Sequence, residues 1–244
     1  MRGSIHFFFT EISFKRSKDN KFIYYDNDFV ETNFKKNKSK ITILKVFEKD
    51  GFLLKEPQIN PIIFFALSQF HKKKINVLDY GGGTGSLFFN NKLFFNKNIK
   101  WDIFETKRIH DLLKNANFKI NSYHNVSDLL DKQYDIVIFS SSLQYIENYS
   151  DILNLVIKNT VPNIILVLKT PFIKLNKDIL AIQHNKQLKS NYSSLLFSFN
   201  KFNKTFDKFG YSRVYNMISN ETSKYHFYNT TKVDFRDLIF KKSI

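Results

Sequence analysis

The chain has no cysteine, which excludes disulfides, thiolate nucleophiles, zinc–cysteine sites and iron–sulfur clusters. Proline is scarce at four residues, and glycine numbers only seven in 244. No proline-rich or glycine-rich linker divides the chain, and no internal repeat is visible. Long apolar runs are also missing. The longest candidates, Pro61–Phe70 and Val161–Leu168, fall well short of the ~20 residues that span a bilayer. The N-terminus lacks the apolar core and small-residue cleavage site of a secretory leader, so the default expectation is a cytoplasmic protein without a transmembrane segment. Met1-Arg2-Gly3-Ser4 resembles the start of an appended tag. No His/Asp/Glu cluster has metal-ligand spacing, so no metal is expected.

Arginine is short as well. Only five of the 38 basic residues are Arg, although Lys+Arg exceeds Asp+Glu (22) enough to give a net charge of +16. Lysine is scattered, apart from runs at Lys35–Lys40 and Lys72–Lys74, and Arg is the side chain suited to bidentate phosphate and base recognition. The chain is also crowded with Asn, Ile, Phe and Tyr, all residues with A- and T-rich codons. Genomic bias and a functional basic surface both remain open as explanations of the charge. A hydrophobic content of 43% with 25% charged residues is that of a soluble globular chain, long enough to bury a substantial core.

Residues Met1–Asn60 are polar, aromatic and hard to parse, and are expected to form an N-terminal accessory segment. Phe7–Phe14 and Lys21–Tyr25 fit short strands, Ile41–Glu48 has some helical spacing, and Asp50-Gly51 marks a turn. Pro61 suits the first turn of a helix running to about His71. From Ile75 onward, apolar runs of strand length alternate with helix-length segments, the mark of βαβ units and a parallel sheet. Strands are predicted at Asn76–Asp79, Lys100–Phe104, near Phe118–Tyr123, at Asp135–Phe139 and at Asn163–Leu168. Helices are predicted at Leu87–Asn96, Ile109–Asn115, Asp151–Asn159, Asp178–His184 and Lys201–Gly210. Tyr211–Met217 and Tyr225–Phe240 are expected to close the sheet as an antiparallel pair.

Four of the seven glycines lie in Val77-Leu78-Asp79-Tyr80-Gly81-Gly82-Gly83-Thr84-Gly85, after an apolar strand and before a helix start. Glycines at that junction let backbone approach a ligand and aim helix N-terminal amides at it. Asp79 ends the strand, where a carboxylate can fix the loop and reach an amino group. Trp101-Asp102-Ile103-Phe104-Glu105 then ends in an acid 20 residues beyond Gly85, placed to accept both ribose hydroxyls of a nucleotide. The spacing D-x-G-x-G-x-G through Asp79, Gly81, Gly83 and Gly85 resembles the first motif of class I S-adenosylmethionine-dependent methyltransferases, with Glu105 matching their ribose-binding acid. Smaller pieces resemble a little-characterised bacterial methyltransferase family associated with surface-polysaccharide gene clusters. They are Ser141-Ser142-Leu143-Gln144-Tyr145, Lys169-Thr170-Pro171-Phe172, Ile182-Gln183 and Phe235–Lys242. The match runs from about Pro61 to the C-terminus. It departs from that family at Leu168-Lys169, where Asp-Arg is usual, and at Asn191-Tyr192-Ser193, where Ser-Tyr-Pro is usual.

The resemblance implies an α/β, Rossmann-like class I fold over 61–244, with a mostly parallel seven-stranded sheet, helices on both faces and an antiparallel C-terminal strand. It implies S-adenosylmethionine as cofactor, held by Asp79, Tyr80, Gly81, Gly82, Gly83, Gly85, Glu105, His124, Ser140 and Ser141. Tyr145 and Gln144, just past the fourth strand, have the best positional case for touching the acceptor, against the plainer reading of Tyr145 as a packing aromatic. Lys169 and Thr170 fall at the carboxyl end of the fifth strand, facing the same crevice. Tyr192 joins the substrate candidates. His184 is a candidate base beside Tyr145, against a solvated histidine, while His110 and His226 read as structural.

An Asn-Pro-Pro-Tyr clamp for base nitrogens is absent, with Ser-Ser-Ser-Leu-Gln-Tyr in its place. The expected acceptor is therefore a small oxygen nucleophile on a sugar, nucleotide-sugar or phosphorylated precursor, oriented by Lys169 if anionic. Nucleic acid is the disfavoured partner. Two other readings stay open: an RNA methyltransferase drawing on the basic balance, and a non-catalytic cofactor-binding protein.

Overall fold

The computed structural model describes residues 12–17, 21–24, 28–42, 47–49, 52–54, 56–71, 74–92, 95, 98–116, 120–185, 190–219 and 226–243. In chain order the elements are β1 (Ile12–Arg16), α1 (Asp28–Thr42), β2 (Phe47–Lys49), β3 (Phe52–Leu54), α2 (Pro61–Ser68), β4 (Lys74–Tyr80), α3 (Ser86–Asn91), β5 (Asn98–Phe104), α4 (Lys107–Asn115) and β6 (Asn121–Tyr123). There follow β7 (Ile136–Ser140), α5 (Tyr149–Thr160), β8 (Ile164–Ile173), β9 (Ile179–Asn185), β10 (Ser190–Ser198), α6 (Phe199–Lys208), β11 (Tyr211–Ile218), β12 (His226–Tyr228) and β13 (Thr231–Lys242). They group into two compact units. A glycine-loop unit comprises Asp26–Phe139 and Asn154–Ile165, and a C-terminal unit comprises Met1–Tyr25, Ser140–Leu153 and Leu166–Ile244. The segment 1–60 is thus divided between both units.

In the glycine-loop unit, β4 lies between β5 and β7 and β6 flanks β5, all in parallel register. Val77, Leu78, Ile103, Val137, Ile138 and Phe139 are fully buried, as expected of strands covered on both faces. Helix α2 starts at Pro61, and the Asn60 side chain caps it by accepting the Ile62 N–H at 3.0 Å. Two buried asparagines at the end of α3 fix the approach to that helix. Asn90 accepts the Gln58 N–H at 3.1 Å and Asn91 the Asn60 N–H at 2.9 Å.

In the C-terminal unit, β9 is antiparallel to both β1 and β10, and β10 joins β8 in parallel at Phe197–Ser198. β13 is antiparallel to β11 and β12 and also pairs with β8. Its core is aromatic. Phe172, Phe197, Phe202, Phe206 and Phe240 are buried together, with the Phe206 and Phe240 rings stacked at 3.9 Å. Phe202 and Phe206 lie one turn apart on α6, which presents them on one face.

The parallel strands and the antiparallel C-terminal pair appear where the sequence predicts them, and β1, β9 and β10 add an antiparallel extension. Helix α3 is shorter than expected, and β8 runs on to Ile173. Two expectations fail. Asp178–His184 is not a helix but the strand β9, because Ile179-Leu180-Ala181-Ile182 fits either element and pairing on both edges decides for strand. The helical spacing at Ile41–Glu48 gives the end of α1 and the strand β2 instead. Lys21–Tyr24 forms no strand of its own. The Asp50-Gly51 turn, Phe7–Glu11, Tyr25 and residues 117–119 lie outside the described residues.

Candidate active site

The loop after β4 is shaped by its glycines. Gly81, Gly83 and Gly85 have φ of 73°, 56° and 89°, a region where a side chain is strained. Gly82 is constrained by space instead, because a Cβ there would stand 2.7 Å from Asp79 Cγ and 2.8 Å from its Oδ2. The backbone of Gly82 therefore lies directly on the Asp79 carboxyl. The loop is tied to the next strand at two points: the Gly81 N–H donates to the Phe104 carbonyl at 2.8 Å, and the Gly83 N–H donates to Glu105 Oε1 at 3.0 Å. The other Glu105 oxygen accepts the Thr106 N–H at 2.7 Å. Glu105 thus braces the loop through both of its carboxylate oxygens.

Asp79 is in a different state. It is fully buried, and neither carboxylate oxygen has a hydrogen-bond partner. Burial pushes its pKa up to about 7, the Trp101 indole opposes that rise, and the negative Glu105 adds to it. Trp101 Nε1 is itself left without a completed hydrogen bond. Tyr80 is buried between Phe104 and Phe139, with ring centroids at 4.5 and 5.4 Å. Burial keeps its phenol well above the ordinary range. His124 follows β6, with its ring 4.6 Å from that of His110, and its Nδ1 is buried without a partner. His110 is fixed by Ser122 at 2.9 Å, and burial lowers its pKa first, His124 second.

The C-terminal unit gathers the remaining candidates around a different construction. Gln144 Nε2 donates to Ser141 Oγ at 3.0 Å, Tyr145 Oη donates to Gln183 Oε1 at 3.3 Å, and Gln183 Nε2 donates to Tyr192 Oη at 2.9 Å. Gln144, Gln183 and Tyr192 are buried, and the Tyr145 and Tyr192 rings meet edge-on at 5.3 Å. Burial pushes the Tyr145 phenol up, while contacts to Gln183, Gln144, Ser141 and Tyr192 oppose it. Its hydroxyl is engaged as the donor to Gln183. His184 is separated from this network. Gln183 sits opposite Tyr192 and His184 opposite Asn191 across β9 and β10, so alternation places His184 on the other face. There its Nδ1 meets Asn191 Oδ1 at 2.6 Å.

Ser141 and Lys169 share an unusual backbone. Both are left-handed, with φ of 52° and 51°. The Leu168–Lys169 peptide is held at both ends. The Leu168 carbonyl accepts the Ser141 N–H at 2.9 Å and the Thr170 hydroxyl at 3.1 Å, while the Lys169 N–H donates to Asp237 Oδ1 at 2.7 Å. Ser140 ends β7 just before this point.

The family model described as a methyltransferase domain matches residues 58–220, about two thirds of the chain. The chain belongs to the methyltransferase-domain family. Nothing among curated proteins matches it closely enough to report. Among solved structures, the glycopeptide N-methyltransferase MtfA bound to S-adenosylmethionine aligns with a TM-score of 0.53 at 11% identity, over 78% of this chain and 96% of that one. The 1,6-didemethyltoxoflavin-N1-methyltransferase of Burkholderia thailandensis aligns at 0.51 and 11%, over 95% and 100%. The CcbJ methyltransferase of Streptomyces caelestis aligns at 0.50 and 13%, over 90% and 100%. At such identities the likeness is one of fold, and the fold is that of class I methyltransferases.

The sequence reading does not single out two residues that the structure brings to these candidates. Gln183 was seen only as part of a resemblance, because reading its segment as a helix hid its pairing with Tyr192. Asp237 falls within the Phe235–Lys242 piece of the resemblance, but its hold on Lys169, 68 positions away, has no local signal. Among the described residues no helix is long and apolar enough to cross a membrane, and no three His, Asp or Glu side chains gather in a metal-holding arrangement.

Proposed function

We propose that this methyltransferase domain methylates an oxygen of a small sugar, nucleotide-sugar or phosphorylated precursor used in surface-polysaccharide biosynthesis. The cofactor is S-adenosylmethionine. The cofactor half of this reading is carried by the loop in which Gly82 rests on Asp79 while Glu105 braces Gly83, and the acceptor half rests on Ser-Ser-Ser-Leu-Gln-Tyr in place of a clamp for base nitrogens. A buried carboxyl whose oxygens have no completed hydrogen bond suits an ammonium group, and a second carboxylate at the end of β5 suits ribose hydroxyls. Asp79, Tyr80, Gly81, Gly82, Gly83, Gly85, Glu105 and His124 would hold the cofactor, with Ser140 and Ser141 assigned to it as well.

When bound, the cofactor supplies an electrophilic methyl on a sulfonium, so the chain's own task is to align the nucleophile and exclude water. We assign acceptor contacts to Gln144, Tyr145, Lys169, Thr170 and Tyr192. Tyr145, whose phenol is pushed up by burial and donates to Gln183, positions the acceptor rather than deprotonating it. Sheet alternation favours Tyr145 over His184, which faces away from that network. An acceptor oxygen that is already ionised, on a phosphate or carboxylate, would need no base, and Lys169 offers it a cation.

Incubation with methyl-labelled S-adenosylmethionine and parallel samples of hexose phosphates, uridine-diphosphate sugars and RNA tests the choice. Label in a sugar or phosphate ester is expected. Label in RNA with none in any sugar would overturn the acceptor, and favour the reading based on the basic charge.

A further inference from the structure

Two carboxyl groups serve the glycine loop, and their surroundings differ. Glu105 receives two main-chain N–H groups, from Gly83 at 3.0 Å and Thr106 at 2.7 Å. Each such donor favours the ionised form. Asp79 receives none and is fully buried. Its ladder neighbours are apolar, Ile103 on β5 and Ile138 on β7. The loop covers it with the backbone of Gly82, and β5 adds the neutral Trp101 indole. The one charged group acting on it is Glu105, whose sign is the same. An ionised carboxylate in that position has neither solvation nor a counter-charge, a costly arrangement. Of two acids in one site, the group that no main-chain N–H reaches, with only the uncompleted contact of the Trp101 indole, keeps its proton.

We propose that Asp79 is protonated in the free protein and releases that proton to solvent when the cationic amino-acid end of the cofactor binds, so that it selects ligands carrying an α-ammonium group. The inference rests on the cofactor reading above. The O–H bond of the carboxyl breaks, the proton passes to the buffer, and the resulting carboxylate pairs with the ammonium. No covalent bond to the ligand forms. The raised pKa of Asp79, about 7, places this exchange in an accessible pH range. An adenosine thioether without the amino-acid end brings no cation and leaves the proton in place.

The test is calorimetric titration of the full chain with S-adenosylhomocysteine, in pairs of buffers that differ in ionisation enthalpy. Close to one proton should be released near pH 6 and little above about pH 8, with affinity rising up to about tenfold per pH unit below the Asp79 pKa. Methylthioadenosine should bind without proton release. Asp79→Asn should abolish the release for S-adenosylhomocysteine. Buffer-independent heat in the wild type, or equal release in Asp79→Asn, would overturn the proposal. If Asp79→Asn does not fold, equal release for both ligands in the wild type overturns it instead. Absence of any binding heat at every pH would overturn the cofactor reading itself, a result distinguishable from binding without proton release.

Discussion

The two units build their polar surfaces by opposite means. In the glycine-loop unit, main-chain amides carry the construction: three left-handed glycines, a fourth pressed onto Asp79, and a carboxylate that accepts two N–H groups. In the C-terminal unit, side chains bond to side chains, from Gln144 to Ser141 and from Tyr145 through Gln183 to Tyr192. A backbone-built site demands particular residues at particular spacings, because glycine takes left-handed angles with the least strain and leaves room for the backbone to meet Asp79. A side-chain network can be assembled from many sequences. The first is therefore rigid to substitution, and the second should be adjustable.

Gly82→Ala should break the first unit's function most severely. Its Cβ would force the Asp79 carboxyl to move, and cofactor affinity measured by calorimetry should fall at least ~100-fold, or about 3 kcal/mol. Gly210→Ala in the C-terminal unit is the control. Gly210 also has a left-handed φ, of 77°, but nothing lies within 4 Å of its added Cβ, so only the backbone penalty of about 1–2 kcal/mol should appear in urea unfolding. Equal effects of the two changes would mean that close approach to Asp79 is unimportant.

Stability against pH separates the units next. Asp79 has a folded pKa near 7, above its unfolded value of 3.8, so its protonated form is favoured by folding. The free protein should be most stable at low pH with respect to this group, and lose that contribution as pH rises from about 4 to about 7. Asp79→Asn should flatten that part of the thermal-unfolding profile. A profile in which wild type and variant run in parallel would refute the assignment of a neutral buried acid.

Asp237→Ala sharpens the comparison from the other side. It strands the buried Lys169 N–H at a left-handed residue, and should cost about 1–3 kcal/mol in unfolding free energy while cofactor affinity holds. Asp237→Asn, which keeps an acceptor oxygen, should recover most of the loss. The smallest effect is expected at His184, where Ala should change stability by less than about 1 kcal/mol and leave methyl transfer near wild type. A turnover collapse in His184→Ala would make His184 the base, against its place on the other face of the sheet.

This contrast also explains what could be read in advance. The glycine loop and Glu105 are legible because Gly81, Gly83 and Gly85 are required by their angles and Gly82 by its contact. The parallel strands are legible because burial on both faces leaves near-continuous apolar runs. β9 is not, because Ile179-Leu180-Ala181-Ile182 has no strand alternation of its own and takes its form from β1 and β10. Once β9 is known, the Tyr145–Gln183–Tyr192 chain follows from register, and the separation of His184 with it. The hold of Asp237 on Lys169 joins residues far apart in sequence, and no spacing rule reaches it.

Placement of the cofactor at the glycine loop depends most directly on Glu105. Calorimetric titration of S-adenosylhomocysteine into the wild type and Glu105→Ala should show a loss of about 1–3 kcal/mol, because a charge-assisted bond to ribose and the brace on Gly83 disappear together. Unchanged affinity in Glu105→Ala, with the variant folded, would contradict the placement of the cofactor at the glycine loop.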